Sequence, residues 1–150
     1  LDGGYVGVEY FGQKTLVNPV IVSPDAGGVY RAKKFREGIA KYVDKSDCAL
    51  AMIVKQRRRA GEIARMDLVG RVDDCDCILV DDMIDTAGTL CAAAEELKLA
   101  GARRVFAYAS HGLFSGPASD RIKKSCLSEV VVSNSIPLGA QARLNRKIAQ

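Results

Sequence analysis

Cys77-Ile78-Leu79-Val80-Asp81-Asp82-Met83-Ile84-Asp85-Thr86-Ala87-Gly88-Thr89-Leu90 is the stretch whose reading decides the fold. It opens as a short, uninterrupted apolar run, which suits a strand buried on both faces of a parallel sheet. Asp81 and Asp82 come where that strand is expected to end. The loop Asp85, Thr86, Ala87, Gly88, Thr89 follows, and Leu90 to Ala100 reads as a helix stopped by Gly101 as its C′ residue. In a sheet with crossover helices, ligands bind beyond the carboxyl ends of the strands. A Thr/Gly loop entering a helix N-terminus offers free N–H groups and a positive dipole end to an anion. Adjacent carboxylates accept from a sugar diol or hold a hydrated Mg²⁺. An anion site beside a diol site describes a sugar phosphate. The plainer reading is an ordinary strand–loop–helix capped by Asp85 or Thr86. Two acids directly after a core strand weigh against it, because carboxylates are rarely placed there without a partner. The segment is neither a Walker A loop nor a G-x-G-x-x-G fingerprint.

Working outward, Val20-Ile21-Val22 is a second strand, and it too ends in an acid, within Ser23-Pro24-Asp25-Ala26-Gly27-Gly28. Asp25 is either a turn former beside Pro24 or a ligand-side acid on the same edge as Asp81 and Asp82. Tyr30 to Val43 reads as a basic amphipathic helix, with Phe35, Ile39 and Tyr42 or Val43 on its apolar face. Cys48 to Val54 is the next strand. The cationic loop Lys55 to Glu62 follows, either solvated or a lid that closes on polyphosphate and neutralises charge in a transition state. Leu68 to Val72 is a brief strand and Arg103 to Ala109 another. The only histidine, His111, sits at the end of the latter without the Ser/Asp spacing of a hydrolytic base. Ala118 to Lys124 is a short helix and Glu129 to Val132 a strand. From Leu138 the chain is polar and basic, a turn and the start of a helix. Leu1 to Gln13 has no clean period, and a short helix over Val6 to Phe11 is expected there. The βαβ spacing predicts an α/β, Rossmann-like parallel sheet flanked by helices.

At 150 residues, 48% apolar, the chain fits one domain with a sizeable core. Its net charge of +4 suits an anionic substrate and is too modest and dispersed for nucleic acid. The basic run Lys55 to Arg59 has no interleaved aromatic residues for base stacking. No apolar run reaches membrane length and no signal-peptide pattern is present, so a cytoplasmic protein without membrane contacts is expected. Five cysteines without C-x-x-C spacing read as packed thiols in a reducing compartment.

The central stretch closely resembles the phosphoribosyl diphosphate binding motif of the type I phosphoribosyltransferase fold. Together with Ile21 to Gly28, Lys55 to Gly70, His111 to Pro117 and Asn134 to Pro137, it resembles the ribose-phosphate diphosphokinases over Val20 to Pro137. The resemblance implies transfer of diphosphate from ATP to the 1-hydroxyl of ribose 5-phosphate, giving phosphoribosyl diphosphate and AMP for nucleotide biosynthesis. It implies Asp81 and Asp82 at the ribose hydroxyls and Asp85, Thr86, Ala87, Gly88 and Thr89 around the 5-phosphate. It places Lys55 and Arg57 as catalytic cations on a flexible loop, and Asp25 as a ligand of the Mg²⁺ cofactor. A homo-oligomer is implied, hexameric or dimer-based, whose ATP site borrows from a neighbouring subunit. Enzymes of that family have two related domains, and residues 1–150 match only the second, so a C-terminal catalytic half, inactive alone, is expected. Three departures stand out. Tyr30 occupies a position where a basic residue is expected, Leu1 to Gln13 does not resemble the preceding helix, and the strand and helix expected after Pro137 are not recognisable. Two rivals differ in class. A phosphoribosyltransferase acting on a nucleobase shares the central stretch but gives no reason for the Lys55–Arg59 loop. A non-catalytic associated subunit is expected to spoil one of the loops, and both look intact.

Overall fold

The computed structural model describes residues 2–43, 48–56 and 65–150. In chain order its elements are α1 (Gly4–Gly12), β1 (Val20–Ser23), α2 (Val29–Ile39), β2 (Ala49–Gln56), β3 (Arg65–Val69), β4 (Asp76–Ile84), α3 (Gly88–Leu99), β5 (Arg104–Gly112), α4 (Ala118–Lys124), β6 (Glu129–Val132), α5 (Ala140–Arg143) and β7 (Ile148–Ala149). The described strands form one sheet in the order β3-β2-β1-β4-β5-β6-β7. Every neighbouring pair is parallel except β2 with β3. The α/β class is as expected.

Strand alternation divides the core into two layers. Cys77 and Leu79 of β4 pack in one layer with Leu90, Ala93, Ala94 and Leu97 of α3 and Ile122 of α4. Ile78 and Val80 pack in the other with Val8 and Phe11 of α1 and Ala32, Phe35 and Ile39 of α2. Val20 and Val22 against Ile21, and Val105 and Ala107 against Phe106 and Tyr108, follow the same rule. The continuous apolar runs exist because both faces are covered. Each fully buried large side chain contributes about 1.5–3 kcal/mol.

Helix α1 docks through missing side chains. A Cβ on Gly7 would lie 2.7 Å from both the Phe35 and Tyr108 rings, and one on Gly38 2.7 Å from Val8 Cγ2. These glycines let α1 approach α2 and β5, and they explain why the segment has no apolar period.

Several boundaries differ from expectation. Helix α2 ends at Ile39, and the turn beyond it leaves Tyr42 exposed with its hydroxyl donating to Glu9. Strand β2 runs on through Lys55 and Gln56, which pair with Met66 and Arg65. The third strand is therefore Arg65–Val69 and antiparallel, not Leu68 to Val72. The cationic segment begins inside this hairpin, and 57–64 lie outside the described residues. Strand β4 extends to Ile84, so Asp81 and Asp82 lie within it and not after it. A final strand does follow Pro137: Ile148 and Ala149 pair in parallel with Val130 and Val131. Two residues are too few to show a period. No described helix is long and apolar enough to cross a membrane. The cysteines are free, and burial pushes the Cys48 and Cys77 thiols up to about 11 and about 12. They are packed thiols.

Candidate active site

Strand β1 last pairs with β4 at Val22↔Leu79, whereas β4 and β5 stay paired through Ile84↔Gly112. Asp81 and Asp82 thus stand where β4 and β5 run on as a ribbon beyond β1. Each acid accepts the next residue's N–H, Asp82 N to Asp81 Oδ1 at 2.8 Å and Met83 N to Asp82 Oδ1 at 2.8 Å. Burial, then the neighbouring Asp82, push the Asp81 carboxyl up to about 6. The hydrogen bond with Asp81 holds Asp82 below the usual carboxylate range. Arg31 of α2 faces both acids, with one guanidinium nitrogen 3.4 Å from Asp81 Oδ1 and the other 3.5 Å from Asp82 Oδ2. Beside them a cavity of about 530 Å³ opens between α1 and α2, lined in part by Tyr5, Tyr30, Arg31, Lys34 and Asp81.

The loop into α3 follows the ribbon directly. Ala87 takes a left-handed backbone, φ 60°, and no side chain caps the helix. Neither Asp85 nor Thr86 is the cap that the plainer reading requires. The first-turn N–H groups of α3 have no side-chain cap, an arrangement that can receive an anion. The Ala87 conformation costs about 1–2 kcal/mol. Two cations flank the loop. Lys55 Nζ donates to Thr89 Oγ1 at 3.1 Å, and Arg121 of α4 donates to the Thr86 carbonyl at 3.1 Å. The Ser115 N–H ties the Asp85 carbonyl to the segment after β5 at 3.0 Å.

Asp25 lies two residues beyond β1 on the same sheet edge, and its Oδ1 accepts the Gly28 N–H at 2.8 Å. It is a turn former, as one reading had it, yet its carboxylate stays exposed. Among the described residues no group of three or more His, Cys, Asp or Glu converges on a point. One exposed carboxylate fits Mg²⁺, which takes one or two protein carboxylates beside phosphates and water. Arg57 lies outside the described residues. His111 has a serine after all: its Nδ1 is 2.8 Å from Ser135 Oγ, 24 residues on. The Ser135 hydroxyl also reaches the Ser110 carbonyl at 2.9 Å.

Arg31 and Arg121 were missed in the sequence because both sit on helices with other basic residues nearby, and nothing local marks out either one. The signal for Arg31 was weak but present. The basic residue looked for at Tyr30 stands one position further on.

A family model of the phosphoribosyl synthetase-associated domain matches residues 44–150. The chain belongs to that family. Among curated relatives, this phosphoribosyl synthetase-associated domain is 51% identical to the ribose-phosphate pyrophosphokinase of Buchnera aphidicola subsp. Schizaphis graminum over 142 residues. The match covers 95% of the chain and 43% of that relative. It is 50% identical over 137 residues to the enzyme of Shewanella oneidensis, covering 91% and 42%. The domain thus spans about two fifths of the length of the curated relatives it matches. Among solved structures it superposes on the phosphoribosylpyrophosphate synthetase from Mycobacterium smegmatis with a TM-score of 0.78 and 34% identity, covering 99% of this chain and 44% of that one. A purine phosphoribosyltransferase from Pyrococcus horikoshii shares the fold at a TM-score of 0.58 and 22% identity, covering 76% and 74%. The type I phosphoribosyltransferase fold expected from the central stretch is the fold found.

Proposed function

We propose that this chain is the catalytic, C-terminal half of a ribose-phosphate diphosphokinase, which transfers diphosphate from ATP to ribose 5-phosphate and releases AMP. One observation supports this most directly. An acid pair and an uncapped helix N-terminus lie on one sheet edge, and Lys55 reaches the first turn of that helix through Thr89. The pair accepts the ribose hydroxyls and the loop N–H groups take the 5-phosphate. The 1-hydroxyl oxygen then forms a bond to the β-phosphorus of ATP, the α,β-bridging bond breaks, and AMP leaves. Such a transfer asks for positioning and charge neutralisation, not a covalent nucleophile. Lys55, with Arg57 by resemblance, places positive charge on the transferring group. Asp25 would hold Mg²⁺, which when bound neutralises phosphate charge. In this reading the whole protein is a cytoplasmic homo-oligomer whose ATP site is completed by its other domain and a neighbouring subunit.

The test is AMP release from ATP, with and without ribose 5-phosphate and Mg²⁺, by the full-length protein and its Lys55→Ala variant. Ribose-dependent AMP formation should fall about 10²–10³-fold in the variant, with ribose 5-phosphate affinity changing far less. Binding of ribose 5-phosphate with no AMP from the unaltered protein would overturn the proposal and leave a non-catalytic associated subunit.

A further inference from the structure

We infer that Arg31 reserves the Asp81–Asp82 pair for a sugar diol by keeping a divalent cation off it. The diol half of this statement rests on the proposed function; the cation half stands on the geometry alone. Two ionised carboxylates side by side on a projecting ribbon are, by charge and ligand type, a place where a hard cation binds. The same oxygens serve a neutral diol equally well, and nothing in the acids themselves chooses between the two.

Arg31 makes the choice. Its guanidinium bridges the pair, one nitrogen on each acid at 3.4 and 3.5 Å, and does not fork onto a single carboxylate. These distances exceed the 2.7–2.9 Å typical of a tight charge-assisted hydrogen bond. The guanidinium therefore offsets the charge of both acids and makes only one long hydrogen bond to them, at Asp81 Oδ1, which already holds the Asp82 N–H. Asp81 Oδ1 receives the Asp82 N–H and Asp82 Oδ1 the Met83 N–H. The remaining lone pairs are open to hydroxyl donors. A hydroxyl is neutral and meets no repulsion from Arg31, whereas a divalent cation there must sit against a fixed positive charge in a half-buried setting.

The surroundings leave Arg31 in that role. A Cβ on Gly28 would crowd Ser23 Oγ at 2.9 Å and only touch the Arg31 terminal nitrogen, at 3.4 Å. Lys34, one turn on, lies over the Tyr30 ring and lines the same cavity, adding positive charge on that side. Lys55 and Arg121 serve the phosphate loop, not the acid pair. Any Mg²⁺ is thereby directed to Asp25 and the phosphates, and the acid pair orients the sugar by hydrogen bonds alone.

The experiment titrates Mn²⁺, followed by its electron paramagnetic resonance signal, into the unaltered protein, Arg31→Gln, Arg31→Lys and the double variant Arg31→Gln with Asp82→Asn, all without sugar phosphate. Arg31→Gln should gain a Mn²⁺ site at least about ten-fold tighter than any at the pair in the unaltered protein. Arg31→Lys should keep the cation off, and the added Asp82→Asn should abolish the gain. In Arg31→Gln, Mn²⁺ should compete with ribose 5-phosphate. Equal Mn²⁺ binding with and without Arg31, or a gain that survives Asp82→Asn, would overturn the inference. A failure of the unaltered protein to bind ribose 5-phosphate would sink the functional reading, and the Mn²⁺ comparison would still decide what Arg31 does.

Discussion

Asp81 sits where burial and a neighbouring acid both disfavour its charge, so it takes up its proton near 6 instead of near 3.8. Because the folded value lies above the unfolded one, the folded state holds more protons between the two. Stability therefore falls as pH rises from about 4 to about 6 and stays lower beyond. Asp81→Asn, which cannot ionise, should raise the melting temperature at pH 8 and change it little at pH 5, as thermal melts at the two values would show. Ribose 5-phosphate affinity should be lost in that variant at both pH values. In the unaltered protein it should weaken as pH drops through about 6, because a protonated carboxyl has lost part of its acceptor capacity. The acid pair and the loop Asp85 to Thr89 were legible in the sequence because they are contiguous and their residue types are their chemistry. Arg31 and Arg121 were not. They arrive at the site from α2 and α4, 50 residues before Asp81 and 35 after Thr86.

Helix α1 shows how an element can be hidden by the residues that position it. Gly7 and Gly38 stand at contact points with Phe35, Tyr108 and Val8. An apolar-periodicity reading sees nothing at a glycine. Alanine at either position gains helix propensity of about 1 kcal/mol but forces ring or valine atoms aside, which costs about 1–3 kcal/mol. Gly7→Ala and Gly38→Ala should therefore lower stability in urea unfolding, while Gly4→Ala, which meets only the exposed Asp2 carboxylate, should not. The β2–β3 hairpin has the opposite history. Its basic residues read as a loop, yet the ladder partner Met66 holds Lys55 on a strand. A cation fixed on a strand is held more precisely than one on a loop, which suits the role proposed for Lys55.

Across the whole molecule the two ends of the sheet do different work. At the amino end of β4, Asp76 is fully buried and accepts from Arg103, Arg104 and the Val17 N–H. Burial alone would raise its carboxyl, but these partners outweigh it and hold Asp76 below the usual range. A depressed folded value means that the stabilisation is present above the unfolded value and is lost as pH falls through the folded one. Breaking this cluster with Asp76→Asn should cost about 2–3 kcal/mol, below the full penalty of a buried pair because both arginines reach solvent. Ribose 5-phosphate affinity, measured well below the melting temperature, should not change. A variant that loses both would show that the two ends are coupled.

The sequence by itself determined the α/β class, the succession of core strands and the central strand–loop–helix with its acid pair. These depend on local periodicity and on residues adjacent in the chain, and near neighbours cannot be rearranged by packing. Only the tertiary structure decided that β3 runs antiparallel, that β4 and β5 project as a ribbon beyond β1, and that Arg31, Lys55 and Arg121 meet at the ligand edge. Those outcomes turn on which distant segments hydrogen-bond and how closely helices approach. Pairing and close packing are properties of the folded chain in space, and no window of the sequence carries them.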